Sequence, residues 1–151
     1  MSRINYKSAQ SIRLELESLV SAIRSLENSI KTWHKFSESS GMTEEDLRTI
    51  QSGVIHSFEV AYEQCWKFMK RWLETNISPD IADGISRREL FRISAENRLI
   101  DDVGAWLDFH QARNLTAHTY NTGNAEQAFE SGLLLPGHAR MLLQRLQERN
   151  D

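Results

Sequence analysis

Apolar residues recur along this chain with a helical period. Ile12, Leu16, Leu19, Ile23, Leu26, Ile30 and Trp33 follow one another at alternating steps of four and three, one stripe along a long first helix. Ser37 to Gly41 is small and polar and reads as a turn. Thr43-Glu44-Glu45-Asp46 then opens a second helix, because threonine caps free amides and acids complement the positive end of the helix dipole. From Leu47 onward, Ile50, Val54, Phe58, Ala61, Cys65, Phe68 and Trp72 make one apolar row. Ile55, Tyr62, Trp66, Met69 and Leu73 make a second row beside it. So broad a surface must meet more than one neighbour, and the helix is expected to pair with the first as an antiparallel hairpin.

Pro79 and Gly84 break the pattern between Asn76 and Gly84. Ser86-Arg87-Arg88-Glu89 has the form of a capping box, which predicts a short third helix from about Arg87 to Glu96. Asp101 and Asp102 can cap a fourth helix that carries Val103, Trp106, Leu107 and Phe109 and runs into Arg113. Asn121 to Asn124 reads as a turn cluster, followed by a short fifth helix from about Ala125 to Glu130. Gly132 is expected to end it, and Pro136 suits the first turn of a last helix through Met141, Leu142 and Leu146. No sustained alternation suggests strands. The expected fold is all-α: a single domain over residues 1–151, an antiparallel up-and-down bundle of about five to six helices.

At 151 residues the chain is long enough to bury a real core. Its net charge of -3 excludes a polycation that grips nucleic acid nonspecifically, so any RNA contact must come from a local patch. The one cysteine, Cys65, excludes an intrachain disulfide and a multi-cysteine zinc site, and its apolar surroundings predict a core thiol. Residues 1–7 lack an apolar signal-peptide core and no later run is long enough to span a bilayer, so a soluble cytoplasmic protein is expected.

The densest chemistry lies in Arg113-Asn114-Leu115-Thr116-Ala117-His118-Thr119-Tyr120. Arginine keeps its charge at any working pH and can meet a phosphate through two parallel N–H bonds. Histidine titrates near neutrality and can give or take a proton. Together they suit phosphoryl chemistry on RNA without a metal or cofactor, with Arg113 and His118 as catalytic residues and Asn114, Thr116 and Thr119 as hydrogen-bonding groups for substrate. On a continuous helix the five-residue step turns Arg113 and His118 roughly 140° apart. They converge only if the helix ends or distorts between them, or if a second subunit completes the cleft. Two copies across a two-fold axis would also supply both an acid and a base.

Plainer readings stand beside these. Arg113 can be a surface ion pair with Asp108 or Asp101, His118 a helix C-terminal residue, and Tyr120 a half-buried ring with a wet hydroxyl. His34, His56, His110 and His138 have no metal-ligand spacing and are expected in core or surface roles. Glu59 and Glu63 share a helix face at i, i+4; a solvated face or a structural hydrogen bond is the plainer reading, lining of the cleft the sharper one. Arg87, Arg88, Arg92 and Arg98 read as a solvated face that can also hold RNA. Trp66, Phe68, Met69 and Trp72 read as core or dimer interface.

Arg113, His118 and Tyr120 together resemble the R-x4-H-x-Y signature of HEPN proteins, in particular the small helical partners of minimal nucleotidyltransferases (MNT). The resemblance extends to Phe58-Glu59-Val60-Ala61-Tyr62-Glu63-Gln64-Cys65-Trp66-Lys67, similar to the F-E-x-x-Y-E-x-x-W-K run of that group, and to Trp106 ahead of the arginine. The likeness spans roughly Leu14 to Tyr120. The chain has Asn121 and Thr122 where the group often has acids, and Gly123 to Gly137 departs from its pattern. The resemblance implies a bundle that dimerises with both motifs in one cleft, and a metal-independent ribonuclease toxin that acts on RNA. It also implies an MNT antitoxin partner that attaches AMP to Tyr120. Members of the group are also described as non-catalytic substrate-binding subunits of two-chain nucleotidyltransferases.

Overall fold

The computed structural model describes residues 14–150. Five α-helices follow in order: α1 (Glu17–Ser37), α2 (Glu44–Asn76), α3 (Arg87–Glu96), α4 (Val103–Leu115) and α5 (Thr122–Glu148). A 3₁₀ turn, Thr116–His118, joins α4 to α5. The all-α bundle expected from the apolar period is what forms. Ile12, assigned to the seam of the first helix, lies outside the described residues; the helix itself starts at Glu17.

The two apolar rows of α2 explain its place at the centre. Val54, Phe58, Ala61, Cys65, Phe68, Trp72 and their neighbours Ile55, Tyr62, Met69 and Leu73 are all buried. α2 packs along α1, α5, α3 and α4. α1 contributes Leu19, Ile23 and Leu26, fully buried, and α5 lies against α1, α2 and α4. The Cys65 thiol is buried among these side chains, and burial pushes its pKa up, so it is a core thiol and not a nucleophile.

Local signals set most of the helix ends. Thr43 accepts from the Asp46 amide while the Asp46 carboxylate accepts from the Thr43 amide, a complete capping box. Asp102, not Asp101, caps α4 by accepting from the Ala105 amide. The box predicted at Ser86 is only half formed. Ser86 accepts from the Glu89 amide, but Glu89 turns its carboxylate to Arg92. α3 ends with Arg98 at φ 61° in the left-handed region, with Leu99 N–H donating to the Ser94 carbonyl and Arg98 N–H to Ala95, the Schellman arrangement.

The C-terminal third differs from the expectation. The predicted short fifth helix and last helix are one helix of 27 residues, with Gly132 and Pro136 both inside it. Asn121 is its N-cap, accepting from the Asn124 amide, so Thr122 to Asn124 form its first turn and not a separate turn cluster. Proline inside a helix removes one hydrogen bond and crowds the carbonyl four residues back. Here Ala128, Phe129, Leu135, Ala139, Leu142, Leu143 and Leu146 are buried on both sides of Pro136, and that continuous packing outweighs the local defect. Gly132 is a packing residue: a Cβ there would sit 3.3 Å from Phe58 Cβ and 3.3 Å from Val54 Cγ1. Gly132→Leu is therefore expected to lower stability by roughly 1–3 kcal/mol through overpacking, read as a lower urea midpoint with unchanged slope.

Candidate functional site

The site forms where α4 stops. The helix ends at Leu115 and the 3₁₀ turn carries Thr116 to His118, so Arg113 and His118 are not on one continuous helix. Thr116 stitches the corner. Its hydroxyl donates to the Arg113 carbonyl at 2.7 Å and accepts from Arg113 Nη1 at 2.9 Å. Asn124 in the first turn of α5 donates to the His118 carbonyl at 3.2 Å, tying the far side of the turn to the next helix.

Arg113 is half-buried and faces two carboxylates of α2. Its Nε lies 3.3 Å from Glu63 Oε1 and its Nη1 lies 3.8 Å from Glu59 Oε2. The Nε–H is buried and not directed at an acceptor, so the Glu63 contact is an ion pair without a hydrogen bond. Glu63 also accepts from the Trp66 indole N–H at 3.1 Å. The Arg87 guanidinium lies over the Trp66 ring, 3.3 Å from its centroid, a cation–π contact that brings α3 into the same cluster. The plain ion-pair reading of Arg113 is thus met by Glu59 and Glu63, and not by Asp108 or Asp101; Asp101 binds Arg145 at 2.7 Å. Of the plainer readings of Glu59 and Glu63, a solvated face or a structural hydrogen bond, the second holds for Glu63 through Trp66, and both carboxylates are also ion-pair neighbours of Arg113. Their signal was position: both flank Tyr62 on a helix whose inner rows are apolar.

Tyr62 and His110 complete the inner side of the cluster, with the Tyr62 hydroxyl 2.8 Å from His110 Nδ1. Burial pushes the Tyr62 phenol up and keeps it protonated. Burial, then the nearby Arg87 charge, holds the His110 imidazole below its ordinary pKa, against an opposing pull from Glu63. A histidine depressed in the folded state binds fewer protons than the unfolded chain just below pH 6.5, so stability is complete above that pH and falls as pH drops. The melting temperature is expected to decline as pH falls below about 6.5, and His110→Gln should flatten that part of the profile.

His118, Thr119, Tyr120 and Asn114 are on the surface. Tyr120 is 87% exposed, so it is not the half-buried ring of the plainer reading. Its hydroxyl is 3.5 Å from His118 Nδ1, and the rings meet edge to face with centroids 5.9 Å apart. Tyr120 and Thr119 line a groove of about 500 Å³ against Arg48, Gln51 and Ile55 of α2 and Ala125 and Glu126 of α5. His138 packs on Trp106 and Phe109, and Arg92 is committed to Glu89 and Glu96. No three His, Cys, Asp or Glu side chains are grouped to hold a metal ion among the described residues.

A family model described as nucleotidyltransferase substrate binding protein like matches residues 14–148. The chain belongs to this family. Over 104 residues it is 30% identical to a Haemophilus influenzae protein described as probable ribonuclease HepT, covering 68% of this chain and 71% of that one. A solved Haemophilus influenzae structure, described as the fold of a substrate-binding domain of a nucleotidyltransferase, superposes with a TM-score of 0.81 at 26% identity, covering 88% of this chain and 99% of that chain. A Thermus thermophilus structure shares the fold at 23% identity and a TM-score of 0.58, covering 80% and 98%. The HEPN resemblance read from the motif therefore holds, and within this family the F-E-x-x-Y-E-x-x-W-K run acquires a physical meaning. Its Glu59 and Glu63 face Arg113, its Tyr62 meets His110, and its Trp66 carries Arg87.

Proposed function

We propose that the protein is a HEPN-type endoribonuclease, the toxin of a pair whose antitoxin is an MNT nucleotidyltransferase. The observation that carries this reading is the corner itself: a positioned arginine, an exposed histidine and an exposed tyrosine where α4 gives way to the 3₁₀ turn and the turn after it. His118 takes the proton of a ribose 2′-hydroxyl. The 2′-oxygen attacks phosphorus, the bond to the 5′-oxygen breaks, and an imidazolium returns a proton to the leaving oxygen. The products are a 2′,3′-cyclic phosphate and a 5′-hydroxyl, and no metal enters. Arg113 offsets the charge that builds on the equatorial oxygens. In a homodimer the His118 of a second copy supplies the acid while the first supplies the base, so each group acts in the protonation state it starts from. Asn114 and Thr119 hold substrate by hydrogen bonds, and Thr116 acts through Arg113.

AMP transfer to Tyr120 silences the site. The hydroxyl is open to a partner enzyme, and a phosphodiester there sets a negative charge beside His118 and repels RNA phosphate. The test is RNA cleavage in EDTA by protein purified with and without its nucleotidyltransferase partner, with intact mass measured on both. The expected result is cleavage by the unmodified protein only, and an AMP-sized mass increase on Tyr120 of the other. Tyr120→Phe should gain no adduct and should still cleave in the presence of partner and ATP. RNA left intact by unmodified protein overturns the nuclease reading.

A second reading is a non-catalytic subunit that presents substrate to a nucleotidyltransferase. The family's description and the two carboxylates already on Arg113 favour it, since an incoming phosphate must compete with both. On that reading the EDTA assay shows no cleavage with any preparation, while assembly with the nucleotidyltransferase persists.

A further inference from the structure

Away from the Arg113 corner, α1 and α5 flank an open pocket of about 560 Å³ lined by Arg24, Glu27, Ile30, Lys31, Leu133, Pro136 and Arg140. Three cations face one carboxylate there, a local excess of two positive charges on a chain whose net charge is -3. Arg24, Glu27 and Lys31 follow the i, i+3, i+7 spacing that stacks side chains on one helix face. Glu27 is spent on Arg140: it accepts from Nε at 3.0 Å and from Nη2 at 2.5 Å. That grip fixes the guanidinium and leaves its Nη1 donors uncommitted among the described residues. Arg24 and Lys31 are exposed and have no carboxylate within 4.0 Å among the described residues. Arg140 first, then Lys31 and Arg24, hold the Glu27 carboxyl below its ordinary pKa, so all three charges act on the same small volume. Ile30, Leu133 and Pro136 are half-buried and supply an apolar floor. Cations at the rim and an apolar floor in a pocket of this size suit a compact anion that carries a flat ring.

We propose that this pocket binds a nucleotide, with its phosphate on Arg24, Lys31 and Arg140 and its base over Ile30, Leu133 and Pro136. The nucleotide is either free or one unit of an RNA strand. A strand has a path onward. By the 100° step, Leu133 and Pro136 project from α5 in the same direction as Thr122 and Glu126, which line the groove at Tyr120. Ala125 and Pro136 are eleven residues apart, roughly 17 Å along the helix. The pocket thus stands on the same edge of the bundle as the Tyr120 groove, and its occupancy does not depend on whether RNA is cut.

The test uses the full chain and three probes: ATP, a 2′-O-methyl oligonucleotide that 2′-hydroxyl attack cannot cleave, and tripolyphosphate. Methyl chemical shifts of Ile30 and Leu133 report the pocket, and titration gives affinity. Either ATP or the oligonucleotide is expected to shift both methyls; ATP alone identifies a free nucleotide, the oligonucleotide alone a strand. Arg24→Gln with Lys31→Gln should weaken that binding roughly tenfold or more. For the oligonucleotide, the slope of log affinity against log salt should fall by about 1.4, at 0.7 for each cation removed from a phosphate. Both residues are exposed, so the double variant should melt with the parent protein. The proposal is overturned if neither probe moves the methyls, or if tripolyphosphate moves them as much as ATP. It is equally overturned if the double variant keeps its nucleotide affinity and loses only its nucleotidyltransferase partner.

Discussion

Replacing His118 with alanine is expected to reduce RNA cleavage by roughly 10²–10⁴-fold and to leave the melting temperature unchanged. The two halves of that expectation rest on separate observations. The loss follows from chemistry: His118 is the proposed proton-transfer group, and alanine can neither take nor give a proton. The unchanged stability follows from placement. His118 is exposed, and its ring faces the Tyr120 ring edge to face with the Tyr120 hydroxyl 3.5 Å from Nδ1. Its backbone carbonyl, which accepts from Asn124, survives the substitution. A single-turnover assay in EDTA with a thermal melt on the same preparation reads both quantities. If cleavage persists within threefold of the parent, the nuclease assignment of this corner fails and the substrate-binding reading takes its place. In a dimeric cleft the variant has a further signature. Mixed dimers of one parent chain and one His118→Ala chain should lose nearly all cleavage if one cleft needs both imidazoles, and should keep about half if each subunit works alone.

The same corner shows what a linear reading can reach. The Arg113–Thr116 and His118–Tyr120 contacts each fall within eight residues and are set by local geometry, while no hydrogen bond joins Arg113 to His118 among the described residues. The 3₁₀ turn satisfied the requirement that the helix end between Arg113 and His118. The acids that meet Arg113 were not legible, because Glu59 and Glu63 are fifty or more residues away and their approach depends on how α2 and α4 pack. The long helices were legible for the opposite reason: burial repeats with the helical period, and seven positions in step outweigh any single residue. α5 failed at that point. Gly132 and Pro136 are strong local stop signals, yet Phe129, Leu135, Ala139, Leu142 and Leu146 keep one buried stripe across both. Local propensities of a few kcal/mol yield when the flanking residues bury a continuous face.

Trp106 marks the boundary between what the motif means for chemistry and what it means for the fold, and Trp106→Ala should cost roughly 3–5 kcal/mol. The indole is 1% exposed and packs against Phe91 of α3 at 5.9 Å, Phe109 at 5.5 Å and His138 of α5 at 6.4 Å between centroids. It is the side chain on which α3, α4 and α5 meet, and it sits two helical turns before Arg113. Truncation leaves a cavity at that junction, and at this chain length each kcal/mol lowers the melting temperature by about 2–4 °C, so a drop near 10 °C is expected. The distinguishing measurement is activity per folded molecule. A residue that acts only by anchoring α4 should leave cleavage by the folded fraction near normal at low temperature, with the loss appearing as the variant melts. A loss of cleavage in fully folded Trp106→Ala at 10 °C would show that the indole also sets the direction in which Arg113 leaves the helix. Trp106→Phe, which refills much of the cavity, should recover most of the stability in either case, and only in the second should it also recover activity.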